Sequence, residues 1–159
     1  MLGRLPQRPD VSRGDLTDAE VAGANLDFAN LTRALLSGVN LTGAVLIRAD
    51  LTGALLIRAD LTGAHLEEAN LTGASLDRAN LTGTVLFYAN LTGASLDRAD
   101  LTGALLHGAN LGQARELTQP QLNVARGNAE TQLPAGLERP ASWAAAAPPI
   151  PLAPPPTTG

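Results

Sequence analysis

The chain has 159 residues, of which 45% are apolar, 3% aromatic and 16% charged; that length fits one domain, but so few aromatics cannot build an ordinary globular core. The absence of cysteine excludes disulfide frameworks, zinc ribbons, thiol catalysis and redox switching, and no apolar run reaches the roughly 18 residues of a membrane span. The formal net charge of -4 argues against nonspecific nucleic-acid binding.

Residues 1–13 carry neither an apolar signal core nor a periodic pattern, and read as a flexible N-terminal segment of a cytoplasmic protein. From 14 to 114 one pattern governs. Leucine stands at 26, 31, 36 and every fifth place through 111, 18 positions without a miss, and Leu16 and Val21 extend the register backwards. Two residues before each stands a small or apolar side chain from Ala24 to Ala109, with Thr84 the one polar exception. A ten-residue unit lies on top, of which Ala49-Asp50-Leu51-Thr52-Gly53-Ala54-Leu55-Leu56-Ile57-Arg58 is one copy.

A strict period of five fits no regular element. On a helix each step of five turns by about 140°, scattering the leucines over every side. On a flat strand an odd period sends successive leucines to opposite faces. The pattern works only if the chain bends once per repeat, so that each five-residue segment is one side of a closed coil. Four bends close a square of about 20 residues, and coils stack at about 4.8 Å.

This tandem Ala-(Asp/Asn)-Leu-x-x motif resembles that of the pentapeptide repeat proteins, a match covering approximately Gly14 to Ala114. The resemblance implies an all-β fold, a right-handed quadrilateral parallel β-helix of about five coils with Ala and Leu pointing inward, here of a bacterial type. Right-handedness agrees with the crossover preference of parallel strands. Leu31, Leu51, Leu71, Leu91 and Leu111 then stack as structural core, and function is left to the outward residues.

Residues 20 apart lie above one another. Two opposite faces carry Asn/Asp and Thr ladders, Asn30 to Asn110 and Asn40 to Asp100, expected to hydrogen-bond between coils and to turn backbone, with Gly at the corners. A third carries a charged ladder, Arg58, Arg78 and Arg98 with Asp77 and Asp97 expected to neutralise them. The fourth holds Phe28, Val45, Ile47, Val85, Phe87, Tyr88 and Leu105, interrupted by His65, Glu67 and Glu68. Exposed apolar strips mark partner sites, so this face is the candidate protein-interaction or self-association surface.

Catalytic, metal and cofactor sites are not expected. His65 and His107 stand two coils apart, too far to share a metal. Ser75, His65 and Asp77 fall on different faces without an oxyanion-hole motif, and the Thr-Gly pairs are corners rather than a phosphate loop. The Asn-Leu-Thr triplets match the glycosylation sequon as by-products of the repeat. The family resemblance adds a second role: some members resemble DNA in shape and charge and bind type II topoisomerases in its place, giving quinolone resistance. Residues 15–116 hold 12 acidic and 6 basic side chains, which is the right sign, but duplex DNA carries one charge per about 1.7 Å and Arg48, Arg58, Arg78 and Arg98 interrupt the acidity.

Residues 115–143 read as a C-terminal cap covering the raw end of the solenoid. Thr118 suits an N-cap, Pro120 a first turn and Gly127 a stop, so a short helix lays Leu117, Leu122 and Val124 or Ala125 on the last coil. Thr131-Gln132-Leu133-Pro134-Ala135-Gly136-Leu137-Glu138-Arg139-Pro140-Ala141-Ser142-Trp143 resembles the tail that follows the repeats in many bacterial members, and reads as a wrap anchored by Trp143; Arg126 stands where many such tails carry a cysteine. The Ala/Pro-rich residues 144–159 read as a disordered tail. The sequence thus predicts a noncatalytic, rigid protein-interaction module without cofactors, direct nucleic-acid contact or membrane insertion. Its partner is an unidentified protein, a second copy of itself or, in the alternative, a type II topoisomerase (DNA gyrase).

Overall fold

The computed structural model describes residues 8–144; the expectations placed on residues 1–7 and on the tail from 145 lie outside them. The chain winds as a parallel β-helix. Single parallel bridges join residues 20 apart, and one column of them runs from Asp10–Asn30 through Asn30–Asp50 to Asn90–Asn110. Each side of a coil is therefore one short extended segment bonded to the coils above and below: Leu51 N–H donates to Asn70 C=O at 2.7 Å, and Asn70 N–H to Ala49 C=O at 2.9 Å.

Every side ends in a tight turn. Ala54 N–H returns to Leu51 C=O at 2.9 Å, and Gly53 between them sits at φ 66°. A positive φ at the third turn residue is what a type II turn requires. The same bond recurs at Ala59–Leu56, Ala64–Leu61 and Ala69–Leu66, so four bends close each coil. Among the described residues the first bridge is at Asp10, ahead of the start expected at 14, because Val11 N–H already reaches Asn30 C=O at 2.8 Å.

The interior is filled by two kinds of side chain. Leu31, Leu51, Leu71, Leu91 and Leu111 are at most 1% exposed, and the alanines between them from Ala29 to Ala109 at most 3%. Burying each leucine is worth roughly 1.5–3 kcal/mol. Thr84, the polar exception, is fully buried and donates its hydroxyl to Leu61 C=O at 2.7 Å.

The C-terminal residues cover the last coil. Helix α1 spans Gln119–Asn123 after Thr118. Gln121 Oε1 accepts from Thr118 N–H at 2.8 Å, and its Nε2 donates to Leu96 and Ala99 C=O at 2.8 and 3.0 Å. Leu117, Leu122 and Ala125 are buried, whereas Val124 is exposed. The helix ends at Asn123, not at Gly127. Gly127 serves Trp143 instead, since a Cβ there would stand 2.6 Å from the indole. Trp143, in the short helix α2 (Ala141–Ala144), is buried and donates Nε1–H to Ala125 C=O at 2.9 Å. Arg126 and Gln132 extend the ladder by pairing with Leu105 and Asn110. Among the described residues no helix is long and apolar enough to cross a membrane.

Candidate interaction edges

Four corner columns run along the solenoid, and they differ in what they place at the positive-φ position. Two columns hold glycine through the middle coils, as at Gly53, Gly73 and Gly93 or at Gly43, Gly63 and Gly83. The other two, diagonally opposed, hold large side chains in the left-handed conformation: Phe28, Arg48, Glu68 and Tyr88 on one, Asp18, Arg58, Arg78 and Arg98 on the other, with φ between 55° and 58°. That conformation costs an ordinary residue roughly 1–2 kcal/mol.

The first of these edges carries the apolar residues singled out by sequence. Val45, Val85 and Leu105 share one bridged column with His65 and Arg126, and are half-buried. Ile47 and Phe87 are half-buried at the corner, and Phe87 meets the edge of His107 with ring centroids 5.3 Å apart. Phe28 is half-buried, with Arg8 and Arg48 guanidinium carbons 5.0 and 5.6 Å from its ring centroid. Tyr88 alone of the seven stands well out, 62% exposed, with its ring against Gly108 and its hydroxyl 3.4 Å from Glu130. The surface is thus an alternation rather than an apolar strip: Arg48 pairs with Glu68 at 3.0 Å and His65 with Glu67 at 3.1 Å. Asp27 Oδ1, Glu67 Oε2 and His107 Nδ1, all on this edge, are buried without a hydrogen-bond partner among the described residues.

The opposite edge places Arg58, Arg78 and Arg98 in one column, all exposed. Asp77 and Asp97 do not pair with them. Asp77 Oδ2 accepts from the Ser75 hydroxyl at 3.3 Å, while Oδ1 accepts from the Ser95 hydroxyl and from Asp97 N–H at 3.3 Å. The aspartates stand one residue before the arginines, where the turn aims them along the ladder instead of at the corner. A groove of about 480 Å³ runs beside this column from Thr17 to Asp97. Ser75 and Asp77 therefore share a face and a hydrogen bond, whereas His65 lies on the opposite edge, paired with Glu67.

The family profile for pentapeptide repeats matches residues 15–53, 49–86 and 85–115, in eight copies. The chain belongs to the pentapeptide repeat family. Among solved structures, a pentapeptide repeat protein from the Arabidopsis thaliana thylakoid lumen is 34% identical over 74% of this chain and 81% of that one, with a TM-score of 0.64. HetL, a pentapeptide repeat protein involved in heterocyst differentiation regulation from the cyanobacterium Nostoc, is 32% identical over 80% of this chain and 64% of that one, with a TM-score of 0.37. QnrB1, a plasmid-mediated fluoroquinolone resistance protein, is 19% identical over 84% of this chain and 76% of that one, with a TM-score of 0.41. No curated protein matches the chain.

Within this pentapeptide repeat solenoid the sequence reading missed one set of outward residues. Leu35, Leu55 and Ile57 lie beside the arginine column and are 36–39% exposed. The signal was present in the doublets Leu35-Leu36 and Leu55-Leu56, because a period of five can bury only one leucine of each pair. The Asn/Asp ladders bond to turn backbone as expected, and between coils at Asn40, whose Nδ2 donates to Glu20 at 2.7 Å. Asn70 Oδ1 accepts from Thr72 N–H at 3.1 Å and from its hydroxyl at 2.6 Å, closing the corner within one repeat. Asp60 and Asp100 do the same, and the hydroxyls of Thr62 and Thr102, followed by their backbone N–H groups, hold both carboxyls below the ordinary 3.8. At the C-terminal end a cleft of about 400 Å³ opens between Leu105, His107 and Trp143.

Proposed function

We propose that the chain is a noncatalytic, rigid scaffold that presents the edge bearing Phe28, Val45, Ile47, Val85, Phe87, Tyr88 and Leu105 to a protein partner in a bacterial cytoplasm. The observation carrying this reading is the filled interior: with the inward leucines and alanines from Ala29 to Leu111 at most 3% exposed, recognition falls to outward side chains whose backbone is fixed on both sides by the ladder. The coil is inferred to be right-handed, in keeping with parallel crossovers, and α1 is inferred to act as the cap that keeps molecules from stacking end to end.

Tyr88→Ser tests the edge. Tyr88 is largely exposed, so the variant is expected to keep the wild-type Tm while losing the complexes that wild-type protein forms on affinity capture, or its dimers in sedimentation. Unchanged association removes this edge from consideration. Phe87→Ser is a poorer test because its ring packs on His107.

A second reading, protection of a type II topoisomerase by DNA mimicry, draws support from the excess of acidic over basic side chains, 12 to 6, across residues 15–116. The exposed arginine column weighs against it. A gyrase supercoiling assay with and without quinolone separates the two readings: protection of the enzyme favours mimicry, and indifference favours the scaffold.

A further inference from the structure

We propose that the N-terminal end of the solenoid is an open sheet edge that takes up an extended basic polypeptide segment with alternate apolar side chains. This goes beyond the lateral edge proposed above, because it engages backbone groups at the end of the coil.

Within the ladder, the bridged residue of each side turns both backbone groups toward the preceding coil: Asn70 N–H donates to Ala49 C=O at 2.9 Å, and Asn70 C=O accepts from Leu51 N–H at 2.7 Å. Asp15, Glu20 and Asn25 hold the same place in the first coil, bridged to Leu35, Asn40 and Val45 above them. Among the described residues their own N–H and C=O groups find no backbone partner. The other end is covered. Gly103 and Leu106 N–H reach Val124 and Arg126 C=O at 2.8 and 2.6 Å, and Gln121 Nε2 covers Leu96 and Ala99 C=O.

The sequence interrupts the register just before this edge. At the leucine position the N–H bonds the next coil, as Val11 N–H does to Asn30 C=O; at the small-residue position it closes the turn, as Gly14 N–H does to Val11 C=O at 2.9 Å. Pro6 and Pro9 hold those two positions one repeat earlier, and proline has no N–H, so the ladder cannot be continued in register before Asp10. An unpaired edge of this kind is a template for strand addition.

Side chains select the strand. Val11, Leu16, Val21 and Leu26 are half-buried, whereas Leu31, Leu36, Leu41 and Leu46 stacked on them are at most 1% exposed. Apolar side chains on the inner face of an added segment complete that burial. Around the rim, residues 10–29 hold Asp10, Asp15, Asp18, Glu20 and Asp27 against Arg13 alone, and none of these makes an ion pair among the described residues. Among the described residues no three acidic groups converge on a metal position, and open N–H and C=O groups call for another backbone. A strand alternates its side chains between two faces, so lysine or arginine between apolar residues meets both the rim and the core. The same acidity opposes a second copy docked end to end, which would set five carboxylates against five.

A fluorescein-labelled peptide of alternating lysine and valine, titrated into the full chain and followed by anisotropy, tests the proposal. Saturable binding that weakens as ionic strength rises is expected, with slowed amide hydrogen exchange at Asp15, Glu20 and Asn25 in the complex. Asp15→Asn with Glu20→Gln should weaken binding about tenfold or more, with far-UV circular dichroism unchanged because the amides still accept from Thr17 and Asn40. The same peptide methylated on its backbone nitrogens should not bind. Tyr88→Ser should leave peptide binding intact, which separates a failure of this end from a failure of the lateral edge. Three results overturn the proposal: no saturable binding, equal binding of the methylated peptide, or amides of Asp15, Glu20 and Asn25 already protected without peptide, whether by the chain itself at low concentration or by a second copy as concentration rises.

Discussion

Arg33 occupies a corner whose column continues as Gly53, Gly73 and Gly93, and it does so at φ 57°. An L-residue there costs about 1–2 kcal/mol in backbone strain, and glycine gives back roughly 0.5–1 kcal/mol through the freedom of the unfolded chain. Arg33 is exposed and makes no ion pair among the described residues, so no charge partner offsets the strain. Arg33→Gly is expected to raise Tm by a few degrees, on a net gain of up to about 1 kcal/mol, as read by a thermal melt in circular dichroism. An unchanged or lower Tm means that the arginine stem packs on Gly53, whose Cβ position lies 3.4 Å from Arg33 Cγ, more favourably than this account allows. The same strain is borne without glycine at Phe28, Arg48, Glu68 and Tyr88 and at Arg58, Arg78 and Arg98. Those are the two edges on which outward side chains of size are concentrated.

At the scale of the repeat, the stabilising unit is the Asx closure of each corner, in which Asn and Asp are interchangeable in geometry but not in charge. Asn80 accepts from Thr82 at 3.1 Å from nitrogen and 2.6 Å from the hydroxyl, and Asp60 from Thr62 at 3.0 and 2.6 Å. Because the folded state lowers the Asp60 and Asp100 pKa below 3.8, their contribution is present above that value and is lost as pH falls through the lowered folded value. Asp60→Asn with Asp100→Asn should therefore leave Tm at pH 7 nearly unchanged and shrink the fall in Tm between pH 5 and about pH 3; equal falls in variant and wild type would refute the assignment. The repeat was legible before any coordinates, since a leucine every fifth place admits only a chain that bends every fifth place, and the bridges between residues 20 apart follow. What escaped the sequence was the direction of side chains at neighbouring corner positions. Asp77 and Arg78 are consecutive, yet the first turns to Ser75 and Ser95 and the second to solvent. Likewise Phe28 was legible as outward but not as flanked by Arg8 and Arg48, a contact made across coils.

For the whole molecule, stability is a sum over coils and the contacts between neighbours. Leu71 is buried in the central coil, 1% exposed, with identical leucines above and below. Leu71→Lys places a charge in that column where no carboxylate is available, and burying an unpaired charge costs more than a domain's margin of stability. The variant should lose the cooperative melt entirely, and a soluble form with the wild-type spectrum would contradict the packing described. Uniform bridging has a further consequence. Because each side presents the same inward leucine and alanine, a spliced-in repeat of five would keep leucine stacked on leucine while turning all later residues a quarter revolution about the axis. Arg98 would then leave the line of Arg58, whereas a spliced-in block of twenty would return it there one layer further along. Angular phase, independent of fold, is thus the quantity through which such a chain could gain or lose a binding line without any residue being replaced.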